Sequence, residues 1–151
     1  MNIERIYSRN IIRAPRSCTL QEAALLMRRH HVGALLVTRD EPDQGEVIGI
    51  VTDRDLVLEA MADGIDPSDA TLDDVMTPDL ATVSETADLH EAMEIMRENG
   101  VRRLAVSNGD GLLVGIVSLD DVIDGLGAEV ASLTGILKSE REREIAERGS
   151  A

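Results

Sequence analysis

LQEAALLMRRHHVGALLV (residues 20–37) aligns without gaps on LHEAMEIMRENGVRRLAV (residues 89–106), with eight identities in eighteen positions. A match that dense at one fixed offset marks an internal duplication, and overlooking a duplication misassigns the whole fold. The relation continues downstream. GIVTDRDL (residues 49–56) matches GIVSLDDV (residues 115–122), after a loop that is three residues shorter in the second copy.

Each copy reads as strand, helix, strand, strand, helix. Leu20, Ala23, Ala24 and Met27 recur at helical spacing and predict one apolar face, repeated by Leu89, Ala92, Met93 and Met96. Thr19 with Glu22 and Asp88 with Glu91 have the spacing of N-cap pairs that open these helices. Residues 34–37 and 47–51, with their copies 104–106 and 112–117, are short, apolar and rich in branched side chains, as buried strands are. Between the strands lie DEPDQGE (40–46) and NGDG (108–111), both of turn composition. A unit of half this length buries too little surface to stand alone, so the copies are expected to pack together. From Gly127 onward a further helix is expected, with Val130, Leu133 and Leu137 on one side and an i,i+4 pair between Glu144 and Arg148.

Composition narrows the function. The 151 residues carry a formal charge of −14 and, among aromatics, only Tyr7. That opposes general DNA or RNA binding and leaves no aromatic platform for stacking bases. The acidity is local: residues 61–96 hold ten Asp or Glu and no Lys or Arg, so a small anion site elsewhere stays open. Cys18 is the single cysteine, which excludes an internal disulfide. The chain shows no long apolar run and opens without a signal-peptide pattern, so a cytoplasmic protein away from membranes is expected.

The duplicated motifs resemble the CBS (cystathionine-β-synthase) domain, and the pair resembles a Bateman module. The resemblance rests on VMTP (75–78), the Glu-Ala pair in each first helix, the V-x-x-L-x-V strand, and above all GIVTDRDL and GIVSLDDV, twice in the same order. It implies an α+β fold of two β-α-β-β-α repeats about a pseudo-twofold axis, followed by a C-terminal helix. On that basis residues 3–63 form the first domain, 64–74 an acidic solvated linker, 75–126 the second domain and 127–151 the tail. The family's two inter-repeat clefts bind adenosine-containing ligands in many members: AMP, ADP, ATP, NAD or S-adenosylmethionine.

Chemistry supports that expectation at named positions. A strand ending in Thr52 or Ser118 runs directly into a helix, placing a hydroxyl and first-turn amides where a phosphate is received. By resemblance, Asp55 and Asp121 accept hydrogen bonds from the ribose hydroxyls. The same residues also form S/T-x-x-acid caps, which occur without any ligand, and the two roles are compatible. Arg102 and Arg103 open the second copy's middle strand, where related sensors set basic residues against phosphates; the first copy has Gly33 and Ala34 there. Arg54 adds a cation that the second copy replaces with Asp120, so the clefts are not equivalent. Val32, Gly33, Ala34 and Val101 are the expected adenine contacts. Tyr7, where the second copy has Met76, is read as packing between the copies.

Other reactive residues form no constellation. Cys18 precedes a helix, yet its counterpart is Ala87, so a small packed residue is expected there. His30 and His31 end a helix, His90 lies on an exposed face, and none has metal-site spacing. With no phosphate loop or nucleophile elbow, no catalysis is expected. The expected role is a regulatory sensor, homodimeric, whose bound nucleotide alters association with a regulated protein. The alternative is a structural oligomerisation module with empty clefts.

Overall fold

Two sheets, one per copy, are each completed by a segment from the other. The computed structural model describes residues 1–39, 41 and 46–149. Most of the turn expected over 40–46 lies outside the described residues. After a 3-10 turn (Ile3–Arg5), the first copy comprises β1 (Arg13–Pro15), α1 (Leu20–His30), β2 (Ala34–Thr38), β3 (Val47–Thr52) and α2 (Asp53–Asp55), which continues as π-helix over Leu56–Met61. The second comprises α3 (Leu72–Val75), β4 (Thr77–Pro78), β5 (Thr82–Ser84), α4 (Leu89–Asn99), β6 (Arg103–Ser107), β7 (Leu113–Ser118) and α5 (Leu119–Gly149). This is the α+β arrangement expected from the duplication.

β1 pairs parallel with β2 and β5 with β6, while β2 pairs antiparallel with β3 and β6 with β7. β4 then leaves its own copy and adds to β3, with Gly49 opposite Pro78 and Ile50 opposite Thr77. Reciprocally, Ser8 bridges to Ile116 on β7. Further upstream Leu72 N donates to Cys18 O at 2.9 Å, and Ile3 N donates to Ala87 O at 2.9 Å. The first core therefore contains Ala70 and Leu72 with Leu20, Ala23, Met27, Leu35, Val37 and Val51. The second contains Ile3 and Tyr7 with Leu89, Ala92, Met96, Leu104, Val106 and Val117. Such reciprocity is what a pseudo-twofold relation requires, and it binds the folding of each half to the other.

Several local expectations are refined. The helix caps form as read: Thr19 Oγ1 accepts from Glu22 N at 3.1 Å, and Asp88 Oδ1 from Glu91 N at 2.8 Å. Ala24, expected on the apolar face, is exposed, because α1 buries only the narrower row Leu20, Ala23 and Met27. The 64–74 stretch is exposed through Asp69, but Ala70 and Leu72 are buried, since α3 lays its apolar side on the first core. The tail is not a separate helix. α5 runs unbroken from the motif at Leu119 through Gly125 and Gly127, because glycine costs a helix about 1 kcal/mol without ending it. Along α5 the ion pairs formed are Lys138 with Glu142 and Arg143 with Glu147; the expected Glu144–Arg148 pair is not among them. At full exposure such pairs contribute only tenths of a kcal/mol, too little to select one geometry.

Candidate nucleotide cleft

The ends of β3 and β7 meet at one cleft because each strand stops at a capped helix start. Thr52 Oγ1 accepts from Asp55 N at 3.2 Å while Asp55 Oδ2 accepts from Thr52 N at 2.8 Å. Ser118 Oγ and Asp121 N are 3.1 Å apart, and Asp121 Oδ2 accepts from Ser118 N at 2.9 Å. The capping role is thus realised at both sites, through one oxygen of each carboxylate. Each helix start is also tied to the preceding strand entry: Asp53 N donates to Gly33 O at 2.9 Å, and Leu119 N to Arg102 O at 2.8 Å.

The cleft encloses about 310 Å³, at the lower end of the range for small-molecule sites. Of the expected residues it gathers Thr52, Arg54, Asp55, Val101, Arg102, Arg103, Ser118 and Asp120. Both copies contribute to it. Val32, Gly33, Ala34 and Asp121 are not in its lining. Val32 packs against the first core, and Ala34 is buried opposite Thr52 in the sheet. Gly33 lies just behind the wall, where a β-carbon would sit 3.2 Å from Asp53 Oδ2 and 3.5 Å from a terminal nitrogen of Arg103. Asp121 instead faces a broader groove of about 850 Å³ beside Arg5, Ile6 and Asp124.

The apolar wall of the cleft escaped the sequence reading. It consists of Ile50, Leu80, Ala81 and Leu119 beside Val101, with Thr77 and Asp79 at the rim. Ile50 was accessible by pattern, since it stands two residues before Thr52 and so shares its face of β3. Leu80 lies between β4, which pairs with the first copy, and Ala81, which stays in its own copy and accepts from Ala105 N at 3.0 Å. Asp79 adopts a left-handed backbone, φ 55°, a conformation uncommon outside glycine and enriched at binding sites. Electrostatically the lining balances Arg54, Arg102 and Arg103 against Asp53, Asp55, Asp79 and Asp120.

Cys18 and the histidines stand apart from this cleft. Cys18 is buried beside Glu22, and burial first, then the Glu22 carboxylate, pushes its thiol up to about 11. His31 caps α1 in the left-handed conformation, the position Gly100 fills in the second copy.

Comparison with known proteins decides what this architecture is. The CBS domain family model matches residues 3–62 and again 72–128. The chain belongs to the CBS domain family. This CBS pair is 38% identical to the CBS domain-containing protein YhcV of Bacillus subtilis, over 69% of this chain and 70% of that one. A conserved CBS domain protein of Thermoplasma acidophilum superposes with a TM-score of 0.72 at 28% identity, covering 93% of this chain and 76% of that one. A CBS domain protein from Pyrobaculum aerophilum, solved in complex with AMP, superposes with a TM-score of 0.67 at 29% identity, covering 80% and 89%. No described helix of the pair is long and apolar enough to cross a membrane.

Proposed function

We propose that this CBS pair is a non-catalytic regulatory module that binds an adenosine-containing ligand between its repeats, and that as a cytoplasmic homodimer it passes ligand occupancy to a regulated protein. One observation carries this reading. Both strand-to-helix junctions and three arginines converge on a single cleft with an aliphatic wall. Ile50, Leu80, Ala81, Val101 and Leu119 offer the surface that an adenine needs in a chain without other aromatics. Asp55 uses Oδ2 in its cap, leaving Oδ1 for a ribose hydroxyl. Arg54, Arg102 and Arg103 supply charge-assisted hydrogen bonds for phosphate. The AMP complex of the Pyrobaculum aerophilum relative supports the ligand class.

Among the candidates AMP, ADP, ATP, NAD and S-adenosylmethionine, charge orders the three mononucleotides. Four carboxylates against three guanidinium groups favour a ligand of low negative charge, so AMP should bind more tightly than ATP. Isothermal titration of the folded protein with all five tests the proposal. Saturable binding of at least one, with AMP ahead of ATP, is expected; no heat with any of them would sink it.

The second reading is a structural oligomerisation module with empty clefts. The exposed apolar side chains of α5 favour it. It predicts assembly with no nucleotide binding, which the same titration separates.

A further inference from the structure

From Leu126 to Gly149 every residue of α5 is exposed. Isolated helices are marginal in water and take most of their stability from burying an apolar face. Gly127 and Gly135 weaken this one further, by about 1 kcal/mol each relative to alanine. A helix projected in this way needs a surface to lie on.

Its apolar residues indicate which. Ile123, Leu126, Val130, Leu133 and Leu137 stand at alternating spacings of three and four. That is the a/d repeat of a two-helix seam, with a period of 3.5 rather than 3.6. All five are between 40% and 65% exposed. We infer that this stripe is a self-association seam, covered by α5 of a second copy running antiparallel. An a/d stripe is complementary to itself, so a second copy of the same helix satisfies it without any other partner.

Charge selects the orientation. The next seam positions are Glu140, Glu144 and Glu147. A parallel pair in register would set each against its own copy and Arg143 against Arg148, and like charges directly opposed are unfavourable. An antiparallel pair separates them. Setting Val130 on Leu133 and Leu126 on Leu137 of the second copy gives four apolar layers, flanked at each end by Ile123 against Glu140 and stopping short of Leu119, which packs on its own core. The same register brings Arg141 of one copy to Asp120 of the other, opposite in sign.

Apart from Asp120, which also lines the cleft, the seam shares no residue with the nucleotide reading, and its test is separate. Sedimentation equilibrium of the full chain should show a dimer. Leu133→Glu, at an exposed position, should weaken that dimer by about tenfold or more with the thermal unfolding of the CBS pair retained. A monomeric full chain, or a dimer unaffected by Leu133→Glu, overturns the seam. For orientation, Val130→Cys and Leu133→Cys are made in a Cys18→Ala background. Mixed under mild oxidation, the two should give a 130–133 disulfide, and Val130→Cys alone should give none. A Val130→Cys self-disulfide overturns the antiparallel arrangement.

Discussion

Gly115 and Tyr7 meet so closely across the duplication that a β-carbon on Gly115 would lie 2.3 Å from Cδ2 of the tyrosine ring and 2.5 Å from Ser8 O. Gly49 stands in the same relation to the other crossing segment, at 2.7 Å from Thr77 O and 3.0 Å from the Met76 sulfur. The glycine that opens each Gly-Ile-Val motif is therefore the slot through which the other copy's strand passes. The motif has two parts with two functions. Its glycine joins the halves, and three residues later its hydroxyl caps the helix and lines the cleft.

Gly115→Ala should accordingly be costly. The obstructing atoms include backbone, which cannot rotate away, so a loss of about 1–3 kcal/mol is expected from overpacking, read by urea unfolding. Gly127→Ala is the matched control, because nothing lies within 4 Å of its added carbon. There the gain in helix propensity, up to about 1 kcal/mol, should raise stability. Equal effects at the two sites would contradict the crossing.

Tyr7 reports on the same junction by absorbance, being the only tyrosine in a chain without tryptophan. Burial raises its phenol above the usual range; the Arg9 guanidinium, 4.3 Å from the ring centroid, opposes that, and the hydrogen bond to Glu85 Oε2 at 3.3 Å adds to the rise. The native titration at 295 nm should fall above the unfolded midpoint of about 10, and urea should restore that midpoint. The folded state holds this proton more tightly than the unfolded chain does. Its contribution to stability is therefore complete below the unfolded midpoint and is lost as pH rises through the folded one. A native midpoint at or below the unfolded one would refute the burial argument.

The elements of each copy were legible because their signals are local. Helical spacing of Leu20, Ala23 and Met27, the caps at Thr19 and Asp88, and the branched runs of β2 and β3 each lie within a dozen residues. The exchange of segments was legible only at Tyr7, whose mismatch with Met76 placed it between the copies, and it does pack into the second core. Ile3 packs some eighty residues away in the chain, and nothing in its immediate neighbourhood distinguishes that destination from the nearer core. The cleft inherits this split. Thr52, Arg54 and Arg102 were readable from the aligned motifs, whereas Leu80 and Ala81 lie on the connection from β4 to β5, which no motif marks. Asp121 illustrates the converse. Equivalent to Asp55 in sequence and in its cap, it lines a different groove, between the N-terminal segment and α5.

Cys18 should be inert in the folded protein. With its thiol pushed up to about 11, only about one molecule in a thousand carries a thiolate at pH 8. Iodoacetamide labelling followed by mass spectrometry should be slow in buffer and fast in urea. Rapid native labelling would show that the shallow groove Cys18 lines with Pro15 and Glu22 admits reagent and activates the thiol instead.

The difference between Asp55 and Asp121 gives the sharpest test of the cleft. Asp55→Ala and Asp121→Ala each remove a carboxylate that accepts from a backbone amide at the start of a helix, so each should cost about 1 kcal/mol of stability. That shared penalty cancels when ligand affinities are compared. Asp55 lines the cleft and Asp121 does not, so Asp55→Ala should weaken AMP and adenosine about tenfold or more through the lost ribose contact. Asp121→Ala should leave both nearly unchanged. Arg102→Ala completes the set by acting on phosphate: it should weaken AMP while sparing adenosine, and the difference should shrink with added salt as a partly exposed charge contact is screened. Calorimetry with the two ligands at low and high salt measures all three. Equal losses for AMP and adenosine with Arg102→Ala, or a larger loss with Asp121→Ala than with Asp55→Ala, would reassign the ligand to another surface.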